Sequence, residues 1–270
     1  MKKLLALLLA LAMVFSFAAC GSKPDAPAEP MTKIDQIKAA GKLVVGTSAD
    51  FPPYEFHTEI NGEDKIVGFD MAFAQLLADE LGVELELVDM AFDGLLISLQ
   101  KGDFDMVIAG LTPTEERKKV IDFAEPFYEN EQIVIIRKAD DSKINTTDDC
   151  ANLIGAYQTG NIQEEFAKRF CGEENCIALV KFQDLIMELK TGKVDAIFTN
   201  SLTGAAYASG NDDIMIKDIN ITDEVDSSAV AIQKGNEDLV DFVNDIVAKC
   251  KAEGTIDGFI DEAVELAGMN

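Results

Sequence analysis

The chain has 270 residues, 48% apolar and 27% charged, with 23 Lys plus Arg against 49 Asp plus Glu and a formal charge of −26. Nearly half the residues are available for burial, enough for one large or two medium cores, which argues against intrinsic disorder. The acidic excess repels polyanions, so no nucleic acid is expected as a partner, and an anionic lipid surface is a poor one unless a covalent link holds the chain there.

At the N-terminus Lys2 and Lys3 precede an apolar run from Leu4 to Phe17, followed by Ala18, Ala19 and Cys20. As a helix that run rises only ~21 Å against a ~30 Å hydrocarbon core, so a secretory signal is favoured over a spanning helix. The stretch Phe17-Ala18-Ala19-Cys20 resembles a bacterial lipoprotein signal, although Leu is usual where Phe17 stands. That resemblance implies a signal peptide at 1–19 and a lipid on Cys20; ordinary secretion with an unmodified Cys20 is the alternative. Gly21 to Pro30 (GSKPDAPAEP) has three prolines and no large apolar side chain. Residues 20–30 therefore read as a flexible tether.

Lys42 to Thr47 (KLVVGT) reads as a buried strand running into a loop, Ser48-Ala49-Asp50-Phe51-Pro52-Pro53-Tyr54, whose prolines hold Phe51 and Tyr54 in place. Gly68 to Gly82 predicts a helix with Phe69, Ala72, Phe73, Leu76 and Leu77 on one face and Gly82 at its C-terminal cap. A strand over 83–88, a helix over 94–101 and a strand over 105–109 follow. This alternation predicts α/β layers with a largely parallel sheet. Phe51 and Phe92, on loops after strands, either flank a ligand or join the core.

After Ala109 come Gly110, Leu111, Thr112, Pro113, Thr114, Glu115, Glu116 and Arg117. Thr112, Pro113 and Glu115 fit a capping box at a helix start. Free N–H groups there, with Arg117 close by, predict a carboxylate site; a surface ion pair for Arg117 is the competing reading. A similar device follows the strand at 153–157, where Asn161 to Glu164 reads as a second capping box and Gly160 lets a ligand approach the backbone, unless this is an ordinary capped turn.

Phe92 to Ile108 and Phe182 to Phe198 echo each other at an offset of 90 residues, matching Phe92 with Phe182, Leu95 with Leu185, Gly102 with Gly192 and Asp105 with Asp195. Two similar lobes would leave a cleft between them. Cys150, Cys171, Cys176 and Cys250 allow three complete disulfide pairings, of which Cys171 with Cys176 would close a short surface loop and is the expected one. With no CxxC and a single histidine, His57, expected in an exposed loop, no metal site is expected.

Five segments, VGTSADFPPYEF (45–56), GFDMAFAQLLADELG (68–82), FDGLLISLQKGDFDMVIAGLTPTEERKKVIDFAEPFY (92–128), GAYQTGNIQEEF (155–166) and GKVDAIFTN (192–200), together resemble the family 3 bacterial solute-binding proteins, the substrate-binding subunits of polar amino acid ABC importers. The resemblance implies an α/β, two-lobed fold of the type II periplasmic-binding-protein kind. Lobe 1 would span 31–130 plus 228–270 and lobe 2 131–222, with a hinge near 128–132 and 222–228. It implies that Phe51 and Phe92 wall the ligand side chain, Arg117 clamps its carboxylate with the backbone at Thr112, and Gly110 offers a carbonyl to its ammonium. Asn161, Ile162 and Gln163 would face the carboxylate from lobe 2, and Ser48 would touch the distal end. The family usually has an Asp where Asn200 stands, and losing that charge costs ~1–2 kcal/mol, about tenfold in affinity. Because Ser48 is uncharged, an uncharged polar amino acid is favoured. The implied protein is a monomeric, lipid-anchored, extracytoplasmic receptor without cofactor, delivering an amino acid to an ABC transporter permease. The alternatives are a dehydratase-like enzyme, which needs an acid or base among site positions that hold none, and a sensing module, which needs a further signalling segment.

Overall fold

The computed structural model describes residues 31–222 and 226–268; the signal, the tether and Cys20 lie outside the described residues, as do 223–225 of the expected hinge. The chain opens with α1 (Lys33–Ala40) and β1 (Lys42–Thr47), then forms a three-stranded antiparallel flap from β2 (Asp50–Phe51), β3 (Glu55–Ile60) and β4 (Glu63–Val67). Next come α2 (Phe69–Leu81), β5 (Glu84–Asp89), a 3-10 turn at Phe92–Gly94, α3 (Leu95–Lys101), β6 (Met106–Val107), the single-turn α4 (Glu115–Lys118) and β7 (Ile121–Phe123). β8 (Tyr128–Asn130) leads across to β9 (Gln132–Arg137), which is followed by β10 (Gly155–Gln158), α5 (Gln163–Cys171), β11 (Cys176–Leu179), α6 (Phe182–Lys190), β12 (Ala196–Asn200), α7 (Ser201–Ser209) and β13 (Ile214–Lys217). β14 (Asp226–Ser228) and β15 (Ala231–Gln233) bring the chain back, and α8 (Glu237–Glu253) and α9 (Thr255–Leu266) follow.

Two five-stranded sheets result, ordered β5-β1-β6-β15-β7 and β11-β10-β12-β9-β13, one in each lobe of an α/β fold. The expected parallel sheets are mixed instead. β1 runs parallel to β5 and β6, and β10 to β11 and β12, but β15 and β9 enter antiparallel because each belongs to a segment that has crossed between the lobes. The two crossings pair with each other, β8 against β14, with Tyr128 opposite Ser228 and Asn130 opposite Asp226.

The periodicity over 69–81 produces the expected helix, which buries Phe69, Phe73 and Leu77 against Leu43 and Val45 of β1, and Gly82 ends it at φ 73°. The internal echo is structural. Asp105 N donates to Val44 O while Val44 N donates to the Asp105 carboxylate at 2.8 Å, and Asp195 N donates to Ile154 O while Ile154 N donates to the Asp195 carboxylate at 3.0 Å. Each aspartate thus ties its turn to the neighbouring strand, and each faces one cation, Lys33 or Arg137.

Both expected capping boxes are corrected. α4 is capped by Thr114, whose Oγ1 accepts from Arg117 N at 3.2 Å, because the Thr112 hydroxyl donates to Asp226 at 2.6 Å instead. α5 starts at Gln163 with no side-chain cap; the Asn161 amide oxygen accepts from Ile162 N at 2.9 Å. His57 lies on β3 rather than in a loop, between Asp64 and Asp89.

Candidate functional site

Arg117 leaves the first lobe from a helix of one turn, Glu115–Lys118. Nη1 donates to Thr112 O at 2.8 Å, Nη2 reaches across to Gly160 O in the second lobe at 3.0 Å, and Cζ lies 5.8 Å from the centre of the Phe92 ring. Burial lowers its pKa to about 10 against the pull of Asp226, so at neutral pH it remains a cation held by neutral carbonyls and an aromatic face. Such a group is suited to a carboxylate. At Gly160 the backbone has φ 83°, and an added Cβ would lie 3.1 Å from Asp93 of the first lobe. Only glycine meets both demands, and the lobes touch there.

A second bridge starts at Asp50. Its carboxylate accepts from Phe182 N at 2.7 Å and from Gln158 Nε2 at 3.1 Å, and its carbonyl accepts from the Tyr207 hydroxyl at 2.9 Å. Phe51 meets the Phe182 ring edge-on, with centroids 5.5 Å apart. Burial raises the Asp50 pKa, and these donors are all neutral; among the described residues its carboxylate forms no ion pair. A pocket at this seam is lined by Ser48, Asp50, Asp89 and Met90 from one lobe and Val180 and Lys181 from the other.

Gly110 packs beside the rings of Phe51 and Tyr54, and its N–H donates to Asp70 at 2.8 Å. Behind it the Glu55 and Asp70 carboxyl groups face each other, both buried. Burial pushes Asp70 up to about 7 and Glu55 well above the usual carboxylate range, and Asp70 further disfavours the charge on Glu55.

In the second lobe Asn200 caps α7, its amide oxygen accepting from Thr203 N at 2.9 Å. That is the atom the sequence offers to an ammonium. An Asp at this position has a second oxygen to spare; Asn has an NH₂ donor there instead. Opposite Asn200 in the sheet stands Gln132, whose amide oxygen accepts from Gln163 Nε2 at 2.9 Å. Gln132 Nε2 lies against Asp226 without a well-formed hydrogen bond, and the hydroxyls of Thr199 and Thr203 are buried without a hydrogen-bond partner among the described residues. Asp226, raised by burial and bonded to Thr112, thereby joins the Thr112 and Arg117 side of the cleft to the Gln132, Gln163 and Asn200 side.

Of the expected residues, Arg117 meets Thr112 and Phe92, Gln163 meets Gln132 opposite Asn200, Ser48 and Phe51 lie at the Asp50 bridge with Gly110 beside Phe51, and the side chain of Asn161 is engaged locally with Ile162 N. Sequence reasoning missed Asp50, Gln132 and Asp226. Asp50 sat in plain view inside the proline loop; Asp226 belongs to the return crossing, where no motif marks it. Among the described residues no cluster of His, Cys, Asp or Glu is arranged to hold a metal ion, and no helix is long and apolar enough to cross a membrane.

Residues 43–263 match the model of the bacterial extracellular solute-binding proteins, family 3. The arginine-binding extracellular protein ArtP of Bacillus subtilis is 34% identical over 262 residues, covering 95% of this chain and 96% of that protein. The L-cystine-binding protein TcyJ of Escherichia coli is 32% identical over 227 residues, covering 83% and 82%. A crystal structure of the amino acid ABC transporter substrate-binding protein AbpA of Streptococcus pneumoniae, bound to L-arginine, superposes with a TM-score of 0.84 at 37% identity, covering 86% of this chain and 98% of that one. All three of these relatives are binding proteins by name. The chain belongs to the bacterial extracellular solute-binding proteins, family 3.

Proposed function

We propose that this chain is the substrate-binding component of an ABC importer, capturing an amino acid between its lobes and delivering it to a permease. The observation that carries this reading is Arg117, a half-buried cation held by carbonyls from both lobes and the face of Phe92. An α-carboxylate entering the cleft engages Arg117 and the backbone at Thr112, with Gly110 offering its carbonyl to the ammonium and Asp226 supplying the negative charge that Asn200 lacks. Phe51 and Phe92 flank the side chain, whose distal end lies toward Ser48. Lobe 1 (31–130 and 228–270) and lobe 2 (131–222) close about the β8–β14 pair, and contacts to both lobes make the closed form the one that ligand stabilises.

Asp50 changes the reading of specificity. Ser48 alone favours an uncharged side chain, but a half-buried carboxylate with only neutral donors favours a cationic one, in keeping with the arginine-bound relatives. Calorimetric titration with the twenty amino acids and L-cystine tests this. Binding of L-arginine or L-lysine at micromolar Kd is expected; no binding tighter than millimolar by any of them sinks the proposal.

The tether and the lipid on Cys20 hold the binding domain at the membrane in this reading, supported by the signal sequence. Cys20→Ala should release the protein from the membrane fraction; unchanged partition would remove the anchor. A single copy is expected to suffice for capture, and a monomeric mass in light scattering checks it.

A further inference from the structure

Cys150 and Cys171 are both buried in one apolar cluster of the second lobe, among Val134, Ile136, Tyr157, Ala167 and Phe198. Cys150 stands on the 3-10 segment Thr147–Asn152, which packs on α5, and Cys171 is the last residue of α5. Both thiols are free in this structure and sit in the same packed cluster, near enough that Cys171 lowers the pKa of Cys150 and Cys150 raises that of Cys171. Cys171 is pressed over the strand below, so that a Cβ on Gly155 would lie 2.7 Å from its Sγ. Of the other candidates, Cys250 belongs to the core of the first lobe, and Cys176 turns its thiol to Gly172 O at 3.2 Å. Since the chain belongs to an extracellular family, the compartment permits oxidation.

We propose that Cys150 and Cys171 form a disulfide in the native protein, in place of the Cys171–Cys176 pairing expected from sequence. The oxidant is a protein or small-molecule disulfide of the extracytoplasmic compartment. One thiol, deprotonated, attacks it to give a mixed disulfide and one released thiol. The second protein thiolate then displaces the other thiol, so two protein thiols become one disulfide and the oxidant's disulfide becomes two thiols. Both cysteines are buried in the finished fold, which places the reaction during folding, as α5 docks on the 3-10 segment.

The bond closes a loop of about 20 residues and fixes the C-terminal end of α5. The other end of that helix carries Gln163, which holds Gln132 at the cleft, so the crosslink braces the second lobe's contribution to the site.

The test uses the full chain, secreted and purified without reductant, alkylated in denaturant and cleaved after glutamate, which separates Cys171 from Cys176 at Glu173 and Glu174. The expected result is that the Cys150 and Cys171 peptides appear as one species split by reductant, while Cys176 and Cys250 are alkylated. Reductant should also lower Tm by roughly 5–10 °C, and Cys150→Ala should abolish that sensitivity. A Cys171–Cys176 species, or four alkylated cysteines at 150, 171, 176 and 250, overturns the proposal. Peptide mapping of the unmutated chain decides the matter even if the variant fails to fold.

Discussion

In the first lobe Asp105 exchanges hydrogen bonds with Val44 and faces Lys33; in the second, Asp195 does the same with Ile154 and faces Arg137. The helix, the left-handed glycine and the strand around each aspartate repeat as well, yet the aromatic residue that opens each unit is used differently. Phe92 lies beside the Arg117 guanidinium, whereas Phe182 stacks on Tyr207 and lends its backbone N–H to Asp50. The lobes thus share a scaffold and divide the labour. In the site we propose, the first supplies the fixed cation and the aromatic surfaces, and the second supplies carbonyls, amides and helix ends.

The largest effect expected from breaking this division is at Arg117. Arg117→Ala should weaken amino acid binding at least 100-fold, about 2.7 kcal/mol or more, with Tm nearly unchanged; calorimetry that finds Kd within fivefold of wild type would remove the first lobe's special part. Next is Gly160→Ala, which forces a side chain into φ 83° against Asp93. About a tenfold loss of affinity is expected, with less ligand-induced compaction in small-angle scattering; normal compaction would show that the lobes do not need this close approach. Asn200→Asp tests the second lobe in the opposite direction. Asp keeps the α7 cap with one oxygen and offers the other to an ammonium, so up to about tenfold tighter binding is expected; weaker binding would mean that Asp226 already satisfies the ammonium and a second acid repels it.

Two smaller effects concern protons. The folded-state pKa values of Asp70 and Glu55 lie above their unfolded values, so the folded state holds more protons and stability falls as pH rises from about 4 through about 7. Glu55→Gln should flatten urea-denaturation stability between pH 5 and pH 8 by on the order of 1 kcal/mol; an unchanged slope would show that the pair carries no linked proton. At His57, burial opposes the charge but hydrogen bonds to Asp89 and Asp64 outweigh it, raising the pKa. Its contribution is therefore present at low pH and lost as pH rises through that value. Because the ring is well exposed, His57→Asn should cost only a few tenths of a kcal/mol at pH 5.5; a loss above about 1 kcal/mol would make it part of the architecture.

Much of the scaffold was legible because its signals are local. Phe69, Phe73 and Leu77 repeat at helical spacing, and Gly102, Asp105, Gly192 and Asp195 mark the same turn twice. Arg117 was legible as a candidate because a cation beside a strand-to-helix junction suits a carboxylate, although a surface ion pair fitted the same local pattern. The helix cap at Thr114 was not, since Thr112 satisfies the same local pattern and only Asp226, distant in sequence, draws its hydroxyl away. Asp50 was visible but mute: nothing local says that Phe182 N and Gln158 will arrive from the other lobe. The same holds for Cys150 and Cys171, where the short spacing to Cys176 gives no sign of the packing between α5 and the 3-10 segment.

The most direct test of the central claim is a matched titration with the amino acid that binds best and with its carboxamide, which keeps the side chain and ammonium but carries no carboxylate. With Arg117 as the carboxylate clamp, the carboxamide should bind wild type at least 100-fold more weakly than the acid, and the two should bind Arg117→Ala about equally weakly. Equal affinity of acid and carboxamide for the wild-type protein would contradict it.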